Sequence, residues 1–325
     1  MEITQEIKDQ ILSSARVLAI PMRIKFRGVT TREVVLFEGP NGWAEWSPFP
    51  EYPDEEAAIW LNAAIEWAFG DLPEPKLKTV KVNATLPAVD NIEEALAPFG
   101  KFEVVKIKVA EKGQNIEDDF RRITTTNQLY PEARIRLDAN GAYTMEQAMQ
   151  MAHFLVDKEL PIEYLEQPVK TIAEMAELKL ALAKFSELKI AADESVRKVS
   201  DPLAVAQANA ADILVLKAAP LGGVTNAIRI AKEAGLPVVV SSALETSVGL
   251  SMGAYLASEL DSPYASGLGT AALLADDVTD TPLIPVNGLV TTERIKVHLF
   301  KINYLTAASS LGTKSIARLG RVLDT

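Results

Sequence analysis

The chain contains no cysteine and only two histidines. Without thiols it can build neither a disulfide framework nor a thiolate metal site, so a bound metal would have to be held by carboxylates or by the histidines. Oxygen donors of that kind select a hard cation. Long apolar runs are also missing. The stretches 204–211 and 236–240 are far shorter than the ~20 residues that span a bilayer, and the N-terminus opens with Glu2, Glu6 and Asp9 where a secretory signal would carry a basic region. The expectation is a cytoplasmic protein with no membrane partner. Positive charge is in deficit: 33 Lys and Arg stand against 44 Asp and Glu, a formal net charge of −11. That balance argues against wholesale binding to nucleic acid or an anionic surface and leaves a small molecule as the expected partner. No P-loop, Ser-His-Asp arrangement or zinc-type spacing occurs, and nothing in the sequence sets an oligomeric state.

What is present is a globular composition, 48% hydrophobic and 24% charged, which by itself implies no activity. At ~150 residues per domain the length suggests about two domains, or one large barrel with an appendage. Residues 16–47 carry short strand-like runs, and Gly39-Pro40-Asn41-Gly42 supplies the residues of a tight hairpin turn, so a small antiparallel sheet is expected. Asp54 then caps a predicted helix through Phe69, with Ala58, Leu61, Ile65 and Phe69 at helical spacing and Gly70 as its stop. The Pro-rich linker 72–75 closes this first unit near residue 78.

From Thr79 the rhythm changes to short β-branched runs alternating with amphipathic segments, the pattern of successive βα units. Candidate strands are 80–84, 104–109, 135–137, 162–165, 188–191, 213–216, 238–241 and 264–266, with helices such as 144–155, 172–184 and 224–234 between them. The reading is α/β, a (β/α)-barrel over 79–284. A doubly wound open sheet is the alternative, but it would be expected to carry a glycine-rich dinucleotide loop. Residues 290–297 read as one more strand, and the segment 285–325 is expected to pack back on the first unit, 1–78.

In such a barrel the active site forms at the C-terminal ends of the strands. Lys106, Lys108, Asp138, Glu166, Asp193, Lys217 and Ser241 each fall at or just past the end of an apolar run, and from Lys108 to Lys217 the steps are 30, 28, 27 and 24 residues, about one βα unit each. Singly, Asp138 could cap a turn, Glu166 could be a surface residue before Pro168, and Asp193 could form a structural ion pair. On three successive strand ends, however, they would converge and offer the oxygen ligands that Mg²⁺, or Mn²⁺ in its place, requires. Lys106 and Lys108 alternate about Ile107 and so share a face. On an edge strand they would merely face solvent; inside a barrel their repulsion would lower the pKa of one toward that of a base. Lys217 closes the run Ile213-Leu214-Val215-Leu216, too apolar for a solvent-facing strand. On the sixth strand it stands across the axis from the second, so Lys108 and Lys217 would address opposite faces of a metal-bound substrate, an arrangement suited to removing a proton next to a carboxylate.

Weaker signals complete the list. Leu221-Gly222-Gly223 before a helix could hold an anion or simply form a turn. Ser241, Ser242 and Gly267-Leu268-Gly269-Thr270, at the ends of the seventh and eighth strands, could hold a substrate carboxylate. His153, inside an amphipathic helix, and His298, near the tail, read as structural.

With Lys106-Ile107-Lys108, Arg136-Leu137-Asp138-Ala139-Asn140, Tyr164-Leu165-Glu166-Gln167-Pro168, Ala192-Asp193-Glu194-Ser195 and Leu216-Lys217-Ala218-Ala219-Pro220 assembled, the chain resembles the enolase superfamily, and within it the muconate-lactonizing subgroup, over nearly its whole length. The segment Gly42-Trp43-Ala44-Glu45-Trp46-Ser47-Pro48-Phe49-Pro50-Glu51-Tyr52 is similar to that family's mobile capping loop. The resemblance implies an α+β cap made from both chain ends. It also implies a magnesium-dependent dehydration of 2-succinyl-6-hydroxy-2,4-cyclohexadiene-1-carboxylate to o-succinylbenzoate in menaquinone biosynthesis. Lys108 would take the proton α to the carboxylate and return it to the departing hydroxide, Lys217 would stabilise the anion, and Arg136, with Lys106, would support the site by orienting substrate or ligands. Ser241, Ser242, Gly267, Leu268 and Gly269 would face the substrate. A racemase or epimerase of N-succinyl amino acids or dipeptides would use the same metal and lysines, although Gly267-Leu268-Gly269-Thr270 stands where a dipeptide epimerase would carry Asp-x-Asp. A barrel that only binds a small acid or a partner protein is the non-catalytic alternative, against which the intact ligands and both lysines weigh.

Overall fold

The computed structural model describes residues 3–26, 28–197 and 201–325; Glu2, read above as part of an acidic N-terminus, lies outside them. The chain begins with helix α1 (Gln5–Ser14) and an antiparallel sheet of β1 (Arg16–Phe26), β2 (Val29–Gly39) and β3 (Gly42–Trp46). The hairpin between β2 and β3 turns at Gly42, whose φ of +102° is a backbone shape that side-chain-bearing residues avoid. Helix α2 (Asp54–Phe69) covers this sheet. Its N-cap is Pro53, not Asp54 as the sequence suggested. The Asp54 carboxylate instead accepts from Arg318 at 3.1 Å and Arg321 at 3.0 Å, since charge-assisted bonds to two guanidiniums outcompete a helix amide.

The expected strand 80–84 is divided into β4 (Thr79–Lys81) and β5 (Ala84–Leu86). Only β5 joins the barrel, followed by α3 (Ile92–Leu96), β6 (Val104–Lys108), α4 (Ile116–Leu129), β7 (Arg134–Asp138), α5 (Met145–Asp157), β8 (Ile162–Glu166), α6 (Ile172–Leu182), β9 (Ile190–Ala192) and two short helices, α7 (Glu194–Arg197) and α8 (Ala204–Gln207). The ring continues with β10 (Ile213–Leu216), α9 (Val224–Ala234), β11 (Val238–Val240) and α10 (Ser247–Leu260). Strands β5 to β11 form one parallel sheet in sequence order. The weak eighth strand expected at 264–266 closes the ring through single parallel bridges, Ser266 to Val82 on one side and Gly267 to Ser241 on the other.

Beyond the barrel, β12 (Leu289–Thr291) pairs antiparallel with β4 and stops there. The longer strand expected over 290–297 does not form, because its partner β4 begins only at Thr79, behind the proline linker. Helices α11 (Leu299–Tyr304) and α12 (Ser309–Leu323) return the chain to its start: Leu18 bridges Thr306, Lys8 pairs with Asp324 at 2.8 Å, and α12 packs on α1, α2 and β1. Among the described residues no helix is long and apolar enough to cross a membrane.

Strand alternation sorts the core into two parts. Ile213, Val215, Ala191, Val239 and Tyr164 cluster inside the ring, whereas Leu214, Leu216 and Val240 join the large core between strands and helices. A residue two positions past an inward one is again inward, which is how the barrel mouth receives its polar side chains.

The Gly222-Gly223 turn does hold an anion, but the anion is the protein's own. Glu66 of α2 accepts from Val224 N at 2.5 Å and Thr225 N at 3.1 Å, capping α9 and pinning cap to barrel. Gly223 has a φ of +123°, a backbone shape that favours glycine, and a Cβ there would also push on that carboxylate from 2.2 Å. Glu66→Ala is expected to cost about 1 kcal/mol of unfolding free energy, read as a lowered urea midpoint with little change in slope; an unchanged midpoint would contradict the capping role.

Candidate active site

The inward register brings most of the sequence-selected residues to one end of the barrel. Arg136 and Asp138, Tyr164 and Glu166, Ala191 and Asp193, Val215 and Lys217, Val239 and Ser241 are all i, i+2 pairs of which the second sits at the C-terminal rim. Lys106, Lys108, Asp138, Glu166, Asp193, Lys217 and Ser241 are all buried. The second and sixth strands of the ring, which carry Lys108 and Lys217, lie opposite one another.

Buried charges must find partners, and the pairing is specific. Lys106 Nζ donates to Glu166 Oε1 at 3.0 Å and lies 3.2 Å from Asp138 Oδ2. Lys217 Nζ lies 2.5 Å from Asp193 Oδ1, which also takes Arg197 Nε at 3.0 Å. Lys108 Nζ donates to the Asp138 carbonyl at 3.3 Å. The carboxylates are thus shared between two cationic centres, and among the described residues no three acidic or histidine side chains meet closely enough to enclose a metal. The donor set nonetheless fits a hard divalent ion: buried carboxylate oxygens on three neighbouring strands, each now satisfied by positive charge.

The electrostatics follow from this geometry. Burial lowers the Lys217 pKa, with Asp193 opposing. At Lys106 burial acts the same way, but Asp138 and Glu166 together outweigh it and hold the ammonium well above the usual lysine range. Lys106 is therefore not the lysine of the pair whose charge is disfavoured, since it sits among carboxylates that favour it. Glu166 is pushed up to about 7 by burial, with Lys106 opposing and Asp138 and Asp193 adding repulsion.

The enclosed space bordered by Lys106, Asp138, Asp193, Lys217, Ser241, Ser242 and Gly267 is about 20 Å³, room for about one water. Roomier hollows, about 350 Å³ beside Trp46 and Arg318 and about 700 Å³ along 281–296, contain none of these residues. Phe26, Thr85, Asn140, Ala243, Leu244 and Thr270 complete the small cavity, and of these only Thr270 received a role from the sequence. Asn140 and Thr270 stood within quoted motifs; Phe26 comes from the cap, and nothing local marks it. Arg197 was also missed, although its position four residues after Asp193 on a helical turn was a usable signal.

Five expected residues do not line the cavity: Lys108, Glu166, Arg136, Leu268 and Gly269. Lys108 and Glu166 are buried and bonded to groups that do, Lys108 to the Asp138 carbonyl and Glu166 to Lys106. Leu268 is buried against Gly253 of α10, and a Cβ on Gly269 would meet Phe99, Pro285 and the Asn83 carbonyl at 3.1 to 3.2 Å, so that glycine serves close packing. Arg136 sits one layer below the mouth. Its guanidinium donates to Glu163 at 2.6 Å, Asn83 at 3.0 Å and the Ala265 carbonyl at 2.7 Å, and lies 4.9 Å over the Tyr164 ring. His153 stacks on Phe185, and His298 faces Asp280 at 3.5 Å, both outside the site. The cap loop reaches the site through Tyr52, whose hydroxyl accepts from Arg197 Nη1 at 3.4 Å, while Phe49 and Tyr52 pack edge-on 5.5 Å apart and beside Trp60.

Comparison with known proteins places this geometry among relatives. Residues 88–295 match the family described as Enolase C-terminal domain-like, and 17–68 match Enolase N-terminal domain-like. The chain is 44% identical over 301 residues to the o-succinylbenzoate synthase of Mycobacterium ulcerans (strain Agy99), covering 92% of this chain and 90% of that protein. With the o-succinylbenzoate synthase of Thermobifida fusca (strain YX) it shares 47% over 287 residues, 87% of this chain and 89% of that one. In fold it is similar to a muconate lactonizing enzyme from Pseudomonas fluorescens complexed with muconolactone, with a TM-score of 0.74, 17% identity, and coverage of 90% and 98%. It is likewise similar to the L-Ala-D/L-Glu epimerase from Bacillus subtilis, with a TM-score of 0.72, 22% identity, and coverage of 86% and 95%.

The position of Arg136 yields a test of its own. Arg136→Met leaves Glu163 with only the half-exposed Arg134, 2.7 Å away, as its partner and is expected to cost about 2 kcal/mol of stability, while divalent-metal affinity measured by calorimetry on the folded variant stays as in the wild type. Full stability with lost metal binding would return Arg136 to the site.

Proposed function

This chain belongs to the enolase superfamily, and from that premise we propose that it catalyses the dehydration of 2-succinyl-6-hydroxy-2,4-cyclohexadiene-1-carboxylate to o-succinylbenzoate. It is a carbon–oxygen lyase of menaquinone biosynthesis. The observation that carries this reading is the 44 to 47% identity to o-succinylbenzoate synthases over about nine-tenths of the chain. The division into a barrel over 79–284 and a cap from 1–78 and 285–325 is part of the same reading.

Enzymes of this superfamily depend in general on a divalent metal. Asp138, Glu166 and Asp193 would hold magnesium, with manganese a possible substitute, and the ion would supply positive charge at the substrate carboxylate. Lys108 Nζ, unprotonated, removes the proton from the ring carbon bearing the carboxylate; its own carbon–hydrogen electron pair moves into the ring as the carbon–oxygen bond at the neighbouring carbon breaks. The ammonium so formed gives its proton to the departing hydroxide, and the products are water and an aromatic ring. Lys217, on the opposite wall, would offset the negative charge that develops on the ring and its carboxylate as the proton leaves. Lys106 holds the Asp138 and Glu166 carboxylates in register, and Arg197 does the same for Asp193. Ser241, Ser242 and the Gly267 backbone supply polar contacts for the substrate.

Supplying the cyclohexadiene substrate with Mg²⁺ and following aromatisation in the ultraviolet tests the reading directly. Absence of that signal, with exchange of the α-proton of an N-succinyl amino acid in its place, would point to a racemase. Lys108→Ala and Lys217→Ala are each expected to lower kcat by about 10²–10⁴ with circular dichroism unchanged, and ample residual turnover in either would sink the mechanism. Asp193→Asn is expected to raise the magnesium concentration needed for half-maximal rate by about tenfold or more; an unaltered requirement would remove Asp193 from the ligand set.

A further inference from the structure

Where cap meets barrel, three charged side chains are buried that the reaction above does not use. Arg32 on β2, Glu45 on β3 and Glu245 in the loop between β11 and α10 are only 1, 4 and 5% exposed. Charges are buried at a cost of several kcal/mol unless their partners compensate, so the partners reveal what the cluster holds together. Arg32 Nε donates to the Leu244 carbonyl at 3.0 Å, and its Nη2 donates to the Ser47 carbonyl and, at 3.4 Å, to that of Ala243. The same guanidinium lies 4.5 Å over the Phe49 ring. One cap side chain thereby grips both the aromatic loop after β3 and the loop after β11.

Glu45 grips from the other side. Its Oε2 accepts from Thr246 N at 3.0 Å, Thr246 Oγ1 at 2.5 Å and Gly249 N at 3.2 Å, and its Oε1 accepts from Ser47 Oγ at 2.6 Å. Those amides belong to the first turn of α10, where unsatisfied N–H groups and the helix dipole favour an anion. A Cβ on Gly249 would lie 3.1 Å from Glu45 Cδ and 2.6 Å from Glu245 Cβ, so the helix approaches the cap as closely as its backbone allows. Ala243 and Leu244, held by their carbonyls, are at the same time walls of the catalytic cavity. Leu244 has a φ of +64°, a shape leucine keeps only when its surroundings impose it.

We propose that Arg32 and Glu45 are positioning residues that lock the cap sheet onto the start of α10 and hold loop 241–246 in the shape that forms the substrate wall. They touch no reacting atom; their effect is on substrate retention. The proposal rests on the dehydration reading only for its kinetic arm. A pH signature accompanies it. Burial and the Glu245 charge push Glu45 up to about 7, against Ser47, Thr246 and Arg32. Arg32 in turn faces Glu33 and Tyr52, Glu245 faces Lys217, and Asp277 bonds Ser247 on the same first turn of α10. A carboxyl raised in the closed state favours that state fully below its ordinary pKa and loses the advantage as pH climbs toward 7.

The test uses the full chain with Mg²⁺. Arg32→Met is expected to raise KM for the cyclohexadiene substrate about tenfold, the effect of a competent loop shape reduced to about one-tenth of the population, with kcat nearly unchanged. In the substrate-free protein, amide hydrogen exchange over 47–52 and 241–246 should accelerate by about as much. Glu45→Gln keeps the size and the acceptor for the α10 amides and removes the titration, so the wild-type thermal midpoint should fall relative to this variant as pH rises from 5 to 7. A folded Arg32→Met with a lowered midpoint but wild-type KM and exchange would overturn the proposal, as would parallel pH curves for the wild type and Glu45→Gln. Because exchange and thermal midpoint need no substrate, failure of the dehydration reading would leave those two arms intact.

Discussion

Everything at the mouth of this barrel follows from the cost of burying charge. Asp138, Glu166 and Asp193 stand at the ends of three neighbouring apolar strands, where water is scarce and like charges repel. Lys106, Lys217 and Arg197 resolve that repulsion by dividing the carboxylates between them, at distances of 2.5 to 3.2 Å. On the proposed reading the same charges that make the site costly make it useful, because a divalent cation bound there would meet carboxylates already oriented by the strands beneath them. Preorganisation of this kind is the largest single contribution a protein makes to reactions that develop negative charge.

The cap obeys the same rule at a second place. Glu66 satisfies the start of α9 and Glu45 satisfies the start of α10, so two cap carboxylates each cap a barrel helix. In an open barrel both helix ends would offer anion sites to solvent or ligand; here they serve as attachment points. The C-terminal helix adds a third tie through Arg318 and Arg321 on Asp54. Since loop 241–246 lies against one of these attachments and against the catalytic cavity, the fit of the cap and the shape of the substrate wall are mechanically one feature.

Much of this was legible in the residues, for identifiable reasons. Strand periodicity exposed the barrel because each βα unit carries its own apolar run, and the inward position of Lys217 could be read from the two apolar residues that alternate before it. Spacing alone brought Lys106, Asp138, Glu166 and Asp193 to one rim. What could not be read was set by distant partners. Asp54 looked like a helix cap until the arginines of α12 claimed it, and Arg136 looked like a site residue because a motif cannot show that its guanidinium turns toward Glu163. Leu268 and Gly269 seemed to face substrate, yet packing against α10 and Phe99 accounts for them. Phe26 was invisible for the converse reason, being a cap residue whose place in the cavity depends on how two separate units meet.

The central claim is that the charges now paired with lysine and arginine form a single divalent-metal site. The most direct measurement is a crystal structure grown with magnesium and o-succinylbenzoate. One oxygen each of Asp138, Glu166 and Asp193 is expected at about 2.0–2.1 Å from a common ion, with the aromatic ring lying between Lys108 and Lys217. An ion held by other groups, or Asp193 still bound only to Lys217 and Arg197 with product present, would contradict the account.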